Sequence, residues 1–338
     1  MKKVLADKDP HSLWMLLARS GVMVLMVQRR LAEPTLESCK AVIAELSATG
    51  RYEEEMKKFL AQHGAPRDWE AANKRKVEEF KKKNPKGIHL ETKYYHILST
   101  AGKELTSTLG QKMDIVTSQV YHKIFEFDEK IPHKYVLIFW GTRRQFIDNG
   151  GSPGAGAYFS PATKELVGFD LTADGLSSMD PCGALFHEGW HQYFDFYIPN
   201  APRWFDEGFA EQAYPTIIKG NKAIWTGFNR HRAVVVTDAL KKNKLVPLRE
   251  LIKMSQAEFY SSANVGVAYS EAWSFIYFLT TYTHQDKRLQ ARVRNFYKDY
   301  FWELHKGTHP AEAVDIVFKE VKFDTLETAW MAAIPNQK

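Results

Sequence analysis

A chain of 338 residues, 44% hydrophobic and 13% aromatic, has room for one large domain with an appendage or for two domains, and it can bury a substantial core. Its formal net charge of +6 is modest for that length and falls short of the concentrated basicity of a nucleic-acid-binding protein. The two cysteines, Cys39 and Cys182, are too few for a disulfide framework or a thiolate zinc site, and they leave the redox compartment open.

The run LWMLLARSGVMVLMV, residues 13–27, is apolar except for Arg19 and Ser20, and Arg29 and Arg30 follow it. It is short for a membrane span. An export signal would carry basic residues and then an unbroken apolar stretch. Here Asp7 and Asp9 offset Lys2 and Lys3, and Arg19 interrupts the run. An N-terminal helix and a signal-like segment are both open readings, so the location is either cytoplasmic or exported. No second long apolar run follows, and no transmembrane anchor is expected in the body of the chain. Residues 34–86 read as charged helices, with breaks at Gly50 and at Pro85 and Gly87. The run Lys81, Lys82, Lys83 reads as a solvated helix face, and residues 74–86 have little of the aromatic interleaving of a nucleic-acid surface. Residues 1–87 are thus expected to form a helical N-terminal extension, dispensable for metal binding.

From residue 88 the texture changes. IHLETKYYHILST alternates loosely like a strand, with Leu90, Tyr95 and Ile97 among its apolar members. The next segment spaces Leu105, Leu109, Met113, Val116 and Val120 as on one face of a helix. KYVLIFW then reads as a strand, NGGSPGAGAYF as a Gly-rich turn, and KELVGFD as another strand. A long helix around residue 190 comes next, and residues 225–338 are mostly helical, with aromatic-rich faces such as EAWSFIYFLTTY. The expected fold class over 88–335 is α+β, a small mixed sheet followed by a mainly helical C-terminal part.

The chemistry is concentrated in LFHEGWHQYFDFYIPNAPRWFDEGFAEQAY, residues 185–214. His187 and His191 stand four apart in the pattern H-E-x-x-H. On an α-helix that spacing returns to nearly the same face after about 6 Å, so both imidazoles can address one metal ion. Glu188 projects beside the pair, where it can take a proton from a water on that ion. A catalytic zinc takes three protein ligands and keeps one position open. WFDEGFAE supplies Glu207, and the Pro-containing IPNAPRW before it lets the chain reverse and a second helix return. Glu211 falls four residues further, placed to accept the outer N–H of a ligand histidine, most simply His187. Two helices, each facing one ion with an i, i+4 pair, account for the repeated spacing.

H-E-x-x-H followed by W-x-x-E-G-F-A-E resembles the gluzincin metallopeptidases, relatives of thermolysin and aminopeptidase N, and most closely a bacterial family of gluzincin-like domains. The likeness extends over residues 88–335 and includes AYSEAWSFIYFL after the metal helices. It implies a gluzincin-like fold, one Zn²⁺ per chain on His187, His191 and Glu207, and Glu188 as general base and acid. It also implies that Tyr269 places its phenol near the reacting carbonyl as an oxyanion donor. Two departures matter. The interval from His191 to Glu207 is shorter than in the aminopeptidases, and the G-x-M-E-N segment that anchors a free amino terminus there is absent. GAGAYF, residues 154–159, stands in that region without a glutamate. Gly156, Ala157 and Tyr158 can still form an edge strand that pairs with an extended peptide. The resemblance therefore implies a zinc-dependent endopeptidase acting on peptides or proteins. The alternatives are an aminopeptidase-like exopeptidase and a non-catalytic zinc-binding scaffold. Nucleic acid is not an expected partner, and the substrate and oligomeric state are open.

Overall fold

The computed structural model describes residues 69–125, 133–174, 181–199, 201–261, 265–319 and 321–337. The apolar run 13–27 lies outside the described residues. Chain contacts divide residues 1–68 from a compact unit over residues 69–338, and the latter is described below.

The unit opens with helix α1 (Trp69–Lys83), whose basic last turn complements the negative end of the helix dipole. The sequence reading places this stretch in the extension. In the structure its Val77 and Phe80 share a core with Leu98, Val136 and Trp140 of the sheet, so the unit begins at Trp69. Strands β1 (Ile88–Glu91) and β2 (Tyr95–Ser99) form a hairpin where a single strand was expected. The turn between them is held by Asp114, whose carboxylate accepts from Thr92 Oγ1 at 2.8 Å and from the amides of Lys93 and Tyr94 at 3.0 and 3.1 Å. That carboxylate comes from α2 (Lys103–Val116), so nothing local in the strand announces the turn. A π-helical turn, Thr117–Tyr121, leads into α3 (His122–Phe125). Leu109, Met113, Val116 and Val120 are buried, as their spacing predicts.

The sheet continues with β3 (Tyr135–Trp140), α4 (Arg143–Asp148), β4 (Ala157–Ser160) and β5 (Glu165–Phe169). Its order is β1-β2-β3-β5-β4, with β2, β3 and β5 parallel and antiparallel strands at both edges. Alternation along the strands sends Val136, Trp140, Val167 and Phe169 to the α1 face. Tyr135, Leu137, Phe139 and Leu166 go to the opposite face, against α5 (Pro181–Tyr197) and the main core. Gly168 on β5 permits the close approach of α5: a Cβ there would sit 2.7 Å from Leu185 Cδ2.

Helix α6 (Arg203–Ala213) follows α5 after a short connection, and every residue from Trp204 to Ala213 is buried. The small hairpin β6 (Ile217–Lys219) and β7 (Lys222–Ile224) precedes α7 (Arg230–Lys241), α8 (Leu248–Leu251) and α9 (Gln256–Ser261). Helix α10 (Val265–Thr281) is largely buried and packs on α6. Helices α11 (Lys287–His305), α12 (Pro310–Val317) and α13 (Phe323–Ala333) complete the aromatic-rich core. The layout is α+β with a small mixed sheet. Among the described residues no helix is long and apolar enough to cross a membrane.

Candidate metal centre

Helix α5 divides by periodicity. Leu185, Phe186, Trp190, Tyr193, Phe194 and Tyr197 are buried in the core, whereas His187, Glu188 and His191 line a cleft. Tyr121, brought in by the π turn, donates to the Phe186 carbonyl at 2.6 Å and pins the helix one residue before His187. Helix α6 supplies Glu207 from the other side.

Three atoms meet there. His187 Nε2 lies 3.2 Å from His191 Nε2 and 3.2 Å from Glu207 Oε2, and His191 Nε2 lies 3.4 Å from the same oxygen. Glu207 Oε2 is buried without an aligned hydrogen-bond donor, an unfavourable state for a carboxylate oxygen unless a cation completes it. A tetrahedral ion with bonds of about 2.0–2.1 Å separates its ligand atoms by about 3.3 Å, so the three atoms match one face of such a site. The described residues hold one group of this kind, His187, His191 and Glu207, and it can hold a metal ion.

Each ligand is held from behind. Asp206 Oδ1 takes the outer nitrogen of His191, Nδ1, at 2.8 Å, and its Oδ2 faces Arg203 Nη1 at 3.3 Å. Glu211 Oε1 lies 3.6 Å from His187 Nδ1. Glu211 is itself clamped by Arg232 Nη2 at 2.6 Å and Asn229 Nδ2 at 2.8 Å. Arrangements of this type fix which ring nitrogen faces the ion. The remaining oxygen of Glu207, Oε1, accepts from the phenols of Tyr260 at 3.0 Å and Tyr269 at 3.2 Å. In this arrangement Tyr269 bonds to the carboxylate.

Glu188 Oε2 accepts the Phe159 amide at 3.0 Å, which ties the side chain to edge strand β4. The cleft, of about 280 Å³, is lined on that side by Phe159 and Pro161 and across from it by Gln256, Tyr260 and Tyr269. Of Gly156, Ala157 and Tyr158, expected to form an edge strand, Ala157 and Tyr158 lie in β4 at the edge of the sheet and Gly156 directly precedes it. Gly156 faces Ala184 and Leu171, Ala157 faces the main core, and Tyr158 turns its ring to Phe146 on the far side of the sheet. By the alternation of β4, the side chain of this strand that lines the cleft is Phe159.

The charges oppose one another in the metal-free site. Burial works against protonation of His191, but Asp206 and Glu207 push it well above the ordinary imidazole value. His187 is raised by Glu207 and Glu211 against the same burial. Burial likewise opposes ionisation of Glu207, yet the two rings hold it well below the usual carboxylate range. Glu188 is raised, chiefly by burial. Burial and the Glu207 charge raise both phenols, so Tyr260 and Tyr269 are neutral donors at neutral pH.

Asp206, Arg203, Arg232 and Tyr260 were not singled out in the sequence. Asp206 had a signal: it precedes Glu207 on the same helix, about 100° around the axis, within reach of the other histidine. Tyr260 had none, because its contact with Glu207 spans 53 residues. No protein-family model and no curated protein matches the chain.

Proposed function

We propose that the chain hydrolyses peptide bonds as a gluzincin-type endopeptidase, with zinc held by His187, His191 and Glu207. The observation that carries this reading is Glu188, which lies in the same cleft as the three ligand atoms with one oxygen tied to the Phe159 amide. A scaffold gains nothing from a buried carboxylate in that position. When bound, zinc supplies a Lewis acid that polarises the carbonyl and makes water easier to deprotonate.

The chain's own groups do the remainder. The Phe159 N–H fixes Glu188 Oε2 and leaves Oε1 to take a proton from the attacking water and return it to the leaving amine. Burial raises the Glu188 carboxyl, which favours holding that proton between the two transfers. Asp206 and Glu211 keep both imidazoles turned toward the ion, and the phenols of Tyr260 and Tyr269 provide neutral O–H donors at the cleft.

Endopeptidase activity is favoured over aminopeptidase activity by the cleft's carboxylates. Asp195 is paired with Lys164, Asp206 with His191 and Arg203, and Glu207 belongs to the ligand group. Among the described residues that line the cleft, no carboxylate apart from Glu188 is left for a free α-amine.

Glu188→Gln tests the reading. Zinc content and thermal stability should stay near wild type while hydrolysis of a peptide library falls by about 10²–10⁴-fold. A peptide with blocked ends should be cut at least as well as one with a free amino terminus. Zinc-loaded wild-type protein that cuts nothing in the library would favour the scaffold, and activity confined to free amino termini would replace the endopeptidase assignment.

A further inference from the structure

We propose that Tyr260, backed by Arg203, is the donor that stabilises the oxyanion during hydrolysis, while Tyr269 keeps Glu207 in place; the assignment rests on the peptidase reading above.

Both phenols donate to the same atom, Glu207 Oε1, at 3.0 Å from Tyr260 and 3.2 Å from Tyr269. One donor is enough to keep that buried acceptor satisfied. One phenol can therefore leave for the substrate without unfastening the carboxylate.

Position selects which one leaves. Both phenols line the cleft, but Tyr260 sits near the end of the six-residue helix α9 and is 42% exposed. Tyr269 belongs to the 17-residue α10, with its ring 5.4 Å from Phe259 and the Arg232 guanidinium 5.1 Å from its centre.

Charge selects the same residue. Arg203 Nη1 lies 3.5 Å from the Tyr260 hydroxyl, on a guanidinium anchored by the Ala201 carbonyl at 3.0 Å and Asp206 Oδ2 at 3.3 Å. The other oxygen of Asp206 is taken by His191 Nδ1, so the aspartate is shared between the guanidinium and a ligand ring. A cation behind the phenol oxygen polarises its O–H and places positive charge near a forming oxyanion. The cation beside Tyr269, Arg232, is committed to Glu211 at 2.6 Å.

In the proposed step, water oxygen bonds to the peptide carbonyl carbon and the C=O π pair moves onto the carbonyl oxygen. The water's proton passes to Glu188. The Tyr260 O–H turns from Glu207 Oε1 to that oxygen and keeps its own proton. The pair then re-forms C=O as the C–N bond breaks, and the proton on Glu188 goes to nitrogen, leaving a carboxylic acid and an amine.

The experiment compares zinc-loaded full-length wild type, Tyr260→Phe, Tyr269→Phe and Arg203→Lys. Kinetics are measured on the best-cut blocked library peptide, and affinity for a phosphinic peptide, whose tetrahedral phosphorus imitates the intermediate, is measured by calorimetry. Tyr260→Phe should lower kcat by about 10²-fold with KM within about threefold, and should weaken phosphinate binding in proportion, with zinc content unchanged. Tyr269→Phe should keep kcat within about tenfold but surrender zinc to chelator faster. Arg203→Lys should lie between wild type and Tyr260→Phe in kcat.

Wild-type kcat and phosphinate affinity in Tyr260→Phe would overturn the assignment, whether or not Tyr269→Phe loses both. Wild type that binds the phosphinate yet cuts nothing is decided by the affinity series alone. Wild type that does neither sinks the peptidase reading, and this proposal with it.

Discussion

Asp206 and Glu211 govern how firmly the two histidines hold an ion, because each ring has one carboxylate on its outer nitrogen. Asp206→Ala and Glu211→Ala should each weaken metal binding by about 10–100-fold in a competition assay with a chromogenic chelator. Each substitution has a second effect: it leaves a guanidinium without its carboxylate, Arg203 (15% exposed) in Asp206→Ala and Arg232 (19% exposed) in Glu211→Ala, so stability should fall by on the order of 3 kcal/mol in both. A thermal midpoint equal to wild type in either variant would refute that effect.

The same pairs set the pH response. His187 and His191 are raised in the folded, metal-free chain. Their contribution to stability is therefore complete below about pH 6.5 and is lost as pH rises through the raised values. An ion needs both rings neutral, so its affinity should rise by up to about tenfold per pH unit for each ring that must release a proton. The gap in thermal midpoint between metal-loaded and metal-free protein should widen with pH. A gap that stays constant from about pH 6 to about pH 9 would mean that the rings are already neutral in the metal-free fold.

Among the elements, the seam between α6 and α10 is the most exacting. Gly208 follows Glu207 directly, and a Cβ there would come within 2.5 Å of Ile276 Cγ1 and 2.8 Å of the Ala272 carbonyl oxygen. By propensity alone, glycine inside a helix is unfavourable by about 1 kcal/mol relative to alanine. Here the seam reverses that preference. Gly208→Ala should destabilise the protein by about 1–3 kcal/mol and shift Glu207 relative to the histidines, reducing metal affinity. A stabilised, fully metallated variant would show that the two helices can separate without moving the ligand. From the letters alone Gly208 looks like a weak point in a helix, since its partner lies more than sixty residues away.

For the whole molecule the question is where the folding unit starts. Contacts place the division at residue 68, and α1 buries Val77 and Phe80 against the sheet. A chain beginning at Trp69 should fold and take up metal. One beginning at Ile88 should lose about 3–6 kcal/mol, from two large side chains at about 1.5–3 kcal/mol each, and expose Leu98, Val136 and Trp140. Denaturant melts of the two truncations, with metal content, decide between this division and a boundary at residue 87. If the shorter chain is as stable as the longer, α1 is an accessory.

Length, charge and the alternation of apolar residues were sufficient for an α+β layout, because helix and strand periods are properties of a single segment. His187, His191 and Glu188 were legible for the same reason: four residues of helix bring two side chains to one face. Glu207 could be paired with them because a short Pro-containing connection leaves the next helix little freedom. Tertiary structure alone decided what stands behind and across from those residues. Asp114 turns a strand into a hairpin, the Phe159 amide on an edge strand meets Glu188, and Arg232 and Tyr260 reach Glu211 and Glu207 from helices far along the chain. Periodicity specifies the face on which a side chain lies. Which partner meets that face depends on how separate elements pack, and that distance is not written in the spacing of the residues.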